Sequence, residues 1–147
     1  MPGRSCETRT RVRYAETDGQ RVAHHAAYLV WFELGRADLL RACGVDYNAL
    51  EDRGLCFVVV EAQVRYLAPA RYDDLVTIRT TLESLRSREM VVVYSVLRES
   101  TVLATGQTRL ALVDRTGRAT ALPDDLSRAL SGPEPPERGD AIISPIA

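Results

Sequence analysis

The run Ala26-Ala27-Tyr28-Leu29-Val30-Trp31-Phe32 opens a segment, Ala26–Ala42, whose polar residues Glu33, Arg36, Asp38 and Arg41 all fall in its second half. Read as a helix, its first two turns have no polar face. Such a helix cannot rest on a surface; other structure must wrap it. Gly35 lowers helix propensity by about 1 kcal/mol relative to Ala, yet lets a neighbouring backbone approach. Gly44 suits a C-terminal cap, and a shorter helix is expected over Tyr47–Asp52, ended by Gly54.

The wrapping material is legible as period-2 alternation. Thr8, Thr10, Val12 and Tyr14 alternate with Glu7, Arg9, Arg11 and Arg13, a strand over 7–14 followed by a polar turn from Glu16 to Arg21. Val60–Tyr66 and Val76–Glu83 alternate in the same way. Met90–Leu97 is nearly continuously apolar, as a strand buried on both faces would be. Residues 102–113 read as another long strand, followed by the turn Asp114-Arg115-Thr116-Gly117. Pro123, Asp124 and Asp125 suit the first turn of a terminal helix. The order predicts an α+β domain over residues 1–130, one antiparallel sheet curled around one helix. A Pro- and Gly-containing tail follows over 131–147. One such sheet leaves open edges and an outer face bearing Val and Leu, so pairing into a homodimer or homotetramer is expected.

Composition removes several classes of function. A net charge of −1 with 27% charged residues gives no bulk attraction to nucleic acid or to a membrane surface. All 19 basic residues are Arg, a coding bias that weakens any single Arg as a sign of phosphate binding. Cys6, Cys43 and Cys56 are odd in number and lack CxxC spacing, which argues against a disulfide framework or a zinc site. The N-terminal residues lack a signal-peptide core and no run approaches membrane-spanning length, so a reduced, cytoplasmic protein is expected.

The chemistry concentrates just ahead of the apolar helix. Arg13-Tyr14-Ala15-Glu16-Thr17-Asp18 lies seven residues before His25. It sets a carboxylate in a polar turn beside a helix N-terminus, whose free N–H groups can hold an oxygen that becomes negative. Turn and capping aspartates are common on their own. The ordered set is less so: Tyr14-x-Glu16-Thr17-Asp18, Val22-x-x-His25-Ala26-x-Tyr28-Leu29-x-x-Phe32-Glu33-x-x-Arg36, Gly54-x-x-Phe57-Val58-Val59, and Arg65-Tyr66-x-x-Pro69-Ala70-Arg71-x-Asp73-Asp74. Over roughly residues 10–125 this order and spacing resemble the hotdog-fold, 4-hydroxybenzoyl-CoA thioesterase-like family, including acyl-CoA thioesterases associated with the Tol-Pal system.

The resemblance implies an acyl-CoA thioesterase in which Asp18 is the catalytic carboxylate, as nucleophile or as base toward water. It also implies that the main-chain N–H of His25 polarises the thioester carbonyl. No metal or redox cofactor is called for. Two departures stand out: the family usually has Gly at Arg21 and often Asn at Ala27. Replacing Gly removes easy access to positive φ, so the turn takes another path, or Arg21 reaches into the pocket and favours an acyl group with an anionic or polar end. Arg86 and Arg88, flanking Ser87, fit a solvated hairpin turn, or contacts to the phosphates of coenzyme A or of a carrier protein's phosphopantetheine. Phe57 and Val59 suit either an acyl pocket or the core.

Other arrangements of residues carry less chemistry. His24 and His25 as metal ligands with Asp18 or Glu16 lack a ligating spacing, since adjacent residues seldom converge on one ion. Glu33 and Arg36 suit an i,i+3 ion pair, and Cys43 and Cys56 suit small buried apolar residues. Three other functions remain: release of an acyl group from an acyl carrier protein, a hotdog dehydratase or hydratase using a His–acid pair such as His25 and Glu33, and a non-catalytic acyl-CoA-binding scaffold, for which Arg21 is the best feature.

Overall fold

A computed structural model of the chain describes residues 4–132. In order, the elements are β1 (Ser5–Arg11), a 3₁₀ turn (Tyr14–Glu16), α1 (Ala27–Ala42), α2 (Tyr47–Asp52), β2 (Cys56–Tyr66), β3 (Leu75–Leu85), β4 (Glu89–Arg98), β5 (Thr101–Val113) and α3 (Asp124–Ser131). The five strands form one sheet of order β1-β3-β4-β5-β2, and every neighbouring pair is antiparallel. This is the α+β arrangement expected, a sheet curled around one long helix. Of the expected tail, Ser131 closes α3 and residues 133–147 lie outside the described residues.

Both helix ends predicted from glycine take the left-handed form. Gly44 has φ +82°. The Val45 N–H donates to the Leu40 carbonyl, and that of Gly44 to Arg41, each at 2.9 Å, which satisfies the last carbonyls of α1. Gly54, at φ +81°, ends α2 in the same way. Pro123 is the N-cap of α3 rather than part of its first turn, which carries Asp124 and Asp125.

On the sheet side of α1, Trp31 and Phe32 are fully buried, and Phe32 stacks on Tyr94 with ring centroids 4.2 Å apart. Burying one such side chain stabilises the fold by roughly 1.5–3 kcal/mol. Gly35 and Gly106 make the close approach possible. A Cβ on Gly35 would strike the Thr80 and Ile78 side chains of β3, and one on Gly106 would strike the Phe32 ring. The neighbour that Gly35 admits is therefore a pair of side chains and not a backbone.

Three expectations are corrected. In a single chain the first turns of α1 are not wrapped all round: Leu29 and Val30 are 42% and 43% exposed, because the sheet curls over one side only. β4 is not buried on both faces. Met90, Val92, Tyr94 and Val96 point into the core, whereas Val91, Val93 and Ser95 on the outer face are half-buried. β1 ends at Arg11 instead of reaching Tyr14. Val12 instead pairs with Asp74, and Tyr14 swings out to 77% exposure.

Candidate active site

The segment between β1 and α1 is a loop tied at its base. Thr17 and Ala23 form an antiparallel bridge, the Asp18 N–H donates to the Val22 carbonyl at 2.9 Å, and the His24 N–H donates to the Glu16 carbonyl at 2.7 Å. The loop leans on the β2–β3 connection through a Val22–Arg71 bridge and an Ala23 N–H to Ala70 carbonyl bond of 2.8 Å. Asp18 therefore stands inside the closed loop, opposite Val22, and His25 follows one residue past its base.

Asp18 is half-buried. Its Oδ1 accepts the main-chain N–H of Gln20 at 2.7 Å and of Val22 at 3.4 Å. Among the described residues no donor engages Oδ2. The carboxylate is held in one orientation with one oxygen at liberty. Arg21 closes the turn, its N–H donating to the Asp18 carbonyl, with φ +67°. The turn thus keeps the left-handed conformation that Gly would favour, so the expectation of a different path at Arg21 is not met. The arginine carries that strain and its side chain is exposed.

His25 lies two residues ahead of α1 and is exposed. Among the described residues none accepts its main-chain N–H. Its carbonyl accepts the Tyr66 hydroxyl at 2.7 Å, and burial raises the Tyr66 phenol above its ordinary range, which keeps it a donor. His24 Nδ1 accepts the Ala26 N–H at 3.0 Å, and the two imidazoles stack with centroids 4.1 Å apart. The helix entrance is thus fixed from both sides, and among the described residues the His25 N–H has no acceptor.

Glu16 and Tyr66 carry positional weight that sequence reasoning did not assign. The Glu16 carboxylate is buried and takes the Trp31 indole N–H at 2.9 Å. A buried Trp in an apolar run needs such an acceptor, and that was the available signal. Tyr66 is 41 residues from His25 in sequence, and nothing local to it announces the contact.

Other expected site residues lie elsewhere in the single chain. Phe57, at the start of β2, lines a cleft of about 550 Å³ together with Glu33, Arg36, Leu40, Tyr47 and Met90. Val59 is 47% exposed along the open edge of β2. Arg86 and Arg88 are exposed in the β3–β4 hairpin, which lies at the far end of β3 from Asp18, roughly 30–35 Å away at about 3.3 Å per residue. One chain therefore sets Asp18 and Arg21 in the turn of the loop and His25 just past its base, and leaves Phe57, Val59, Arg86 and Arg88 towards the other end of the sheet.

The expected Glu33–Arg36 ion pair does not form. Arg36 turns inward and donates to the Tyr94 hydroxyl at 3.1 Å, which is paired with Thr108 at 2.6 Å, while Glu33 is exposed. Cys6, Cys43 and Cys56 are free thiols. Among the described residues no group of three or more His, Cys, Asp or Glu is placed to hold a metal ion. No described helix is long and apolar enough to cross a membrane.

Likeness to known proteins points the same way. The acyl-CoA thioester hydrolase YbgC of Escherichia coli is 34% identical over 105 residues, 71% of this chain and 78% of that protein. A solved hypothetical protein of Thermus thermophilus is 44% identical with a TM-score of 0.82, covering 85% of this chain and 96% of its own. The DHNA-CoA thioesterase of Staphylococcus aureus is 28% identical with a TM-score of 0.84, covering 86% and 89%. Residues 12–130 match the family model of the thioesterase-like superfamily, and the chain belongs to that family.

Proposed function

We infer that the protein hydrolyses acyl-CoA thioesters to the free acid and coenzyme A, with Asp18 and the His25 main-chain N–H as the reacting pair. The observation that carries this is the tethered Asp18 carboxylate, one oxygen held by two N–H groups and the other without a donor among the described residues, on a loop whose returning arm leads directly into the His25 N–H, which has no acceptor among the described residues. The thioester carbonyl oxygen accepts the His25 N–H, which favours the negative charge that develops there. Two routes are open to Asp18 Oδ2. It attacks the carbonyl carbon, expelling the thiolate and leaving a mixed anhydride that water opens; or it takes a proton from a water that attacks directly, and the proton passes to the departing sulfur.

A second copy completes the site in this reading. β2 is an edge strand with Val58, Val59 and Val60 exposed, and Leu29 and Val30 of α1 are exposed as well. Its Tyr66 end adjoins His25, and its Cys56 end adjoins the strand ends that carry the Arg86–Arg88 hairpin. Antiparallel pairing of two β2 edges then brings Phe57, Val59, Arg86 and Arg88 of one copy to the Asp18 loop of the other. The arginines are there for coenzyme A phosphates.

The test is thiol release from short-chain, long-chain and aromatic acyl-CoAs and from an acyl carrier protein thioester, with Asp18→Asn alongside. The Asn side chain keeps an acceptor for the Gln20 and Val22 N–H groups and changes only the free oxygen, so the loop persists. Loss of general base or nucleophile lowers kcat by about 10²–10⁴-fold. Full activity in Asp18→Asn, or a change in enoyl absorbance without thiol release, overturns the assignment. Release from the carrier substrate alone moves the substrate to the carrier protein. Single turnover in ¹⁸O water tests the nucleophilic route: label in Asp18 establishes it, with water opening the anhydride at the Asp18 carboxyl carbon.

A further inference from the structure

We propose that Glu16 is a positioning residue for the reaction, holding the Asp18 arm and the His25 arm of the loop at a fixed separation against α1. The proposal rests on the Asp18–His25 reading above. Glu16 is 8% exposed, and both of its carboxylate oxygens are used inside the protein. Oε1 accepts the Arg13 N–H at 2.8 Å, at the foot of the outgoing arm. Oε2 accepts the indole N–H of Trp31 at 2.9 Å, on a helix residue that is fully buried and cannot yield. The Arg13 guanidinium lies 3.6 Å from the same oxygen. The Glu16 main-chain carbonyl accepts the His24 N–H at 2.7 Å, at the foot of the returning arm.

One residue therefore touches three bodies: the segment just after β1, the second turn of α1, and the segment that presents His25. Asp18 follows it by two residues and His25 follows its partner His24 by one. A carboxyl group this deep needs a partner for each of its oxygens, and here both are engaged. The carboxylate does not face the reacting atoms, so it acts by geometry. Displacing a reacting group by about 1 Å costs about a hundredfold in rate, which is the scale on which this anchor operates.

The measurement is steady-state hydrolysis of an acyl-CoA by Glu16→Gln, with Trp31→Phe, the double variant and Asp18→Asn alongside, all well below their unfolding midpoints. The amide in Glu16→Gln has one acceptor for two donors, so either Arg13 N–H or the indole N–H is left facing an NH₂. We expect kcat to fall by about tenfold to a hundredfold with KM little changed. Trp31→Phe removes one bond and gives a smaller fall in kcat. The double variant is no slower than Glu16→Gln alone, because the opposed donor has gone. A wild-type kcat with a lowered unfolding midpoint, a change in KM alone, or strictly multiplicative single effects overturns the proposal. If Glu16→Gln does not fold, Trp31→Phe decides: an unaltered kcat refutes it. An active Asp18→Asn removes the parent reading instead, whereas an inactive one beside wild-type-like Glu16→Gln and Trp31→Phe sinks only the positioning role.

Discussion

Gly35→Ala sets two opposed effects of known size against each other. Replacing a mid-helix Gly stabilises an exposed helix by about 1 kcal/mol. At this position α1 crosses β3 so closely that the added methyl would meet Thr80 Oγ1 first, then Ile78 Cγ2 at 2.9 Å and Thr80 Cβ at 3.5 Å. Both neighbours are fully buried and β-branched, stiff at χ1, so neither can swing aside cheaply. Overpacking of this kind costs roughly 1–3 kcal/mol, and here it acts on two side chains at once. The helix must lift from the sheet, loosening the Phe32–Tyr94 stack one turn away. The net expectation is a loss of about 1–2 kcal/mol, or a fall in Tm of several degrees. Urea titration at fixed protomer concentration measures it, so that any assembly contributes equally to both proteins. Thr80 Oγ1 is buried and has no hydrogen-bond partner among the described residues. Thr80→Ala therefore removes the nearest obstacle at little polar cost, and the double variant should recover a substantial part of the loss. A Gly35→Ala protein more stable than the parent, or a pair of substitutions that simply add, would refute the claim that this glycine sets the helix–sheet distance.

Three further outcomes follow from features already described. Arg21→Gly relieves a left-handed residue, φ +67°, worth roughly 1–2 kcal/mol, against about 0.4–1 kcal/mol of added unfolded-state freedom; equal or greater stability by urea titration is expected, and a clear loss would mean the side chain has a partner in the assembly. The Cys6 thiol is pushed up to about 12, by burial first and then by Asp38; it stays protonated through pH 6–9, so iodoacetamide at pH 8 should spare it in the native protein and label it in urea, and labelling of the native protein would contradict the packing. Val59→Asp places a charge on the open edge of β2; sedimentation should show it monomeric with thioester hydrolysis lowered by at least about tenfold, and an active monomer would show that one chain suffices.

The architecture was legible where a pattern and a stop signal coincided. The apolar run with Gly44 beyond it located α1, and Gly54 located the end of α2, because each glycine supplies a conformation that other residues take at a cost. The strand over 7–14 was misplaced because alternation continued through Val12 and Tyr14 after pairing with β3 had ended. Composition carries no mark of which residue last finds a partner. Glu33 and Arg36 have the spacing of a helical ion pair, but a buried Tyr94 hydroxyl 58 residues away competes for the guanidinium. Such long-range partners explain most of what local reading missed, Glu16 with Trp31 and Tyr66 with His25 among them. At Arg21 the backbone demand of the turn prevailed over the side chain's preference.

The two rims of the sheet differ in a way that bears on how far association can proceed. Along β2 the pairing slips between Val59 and Glu61, so Val60 is an extra residue that twists this rim locally. A strand bent in that manner is met best by another with the same irregularity, turned end for end, and badly by a straight one. The opposite rim is the seven-residue β1, studded with Glu7, Arg9 and Arg11, and offers a newcomer neither apolar cover nor matching shape. In the pairing proposed above, growth by strand addition would therefore end after a single event, and the exposed valines would not lead to open-ended polymerisation.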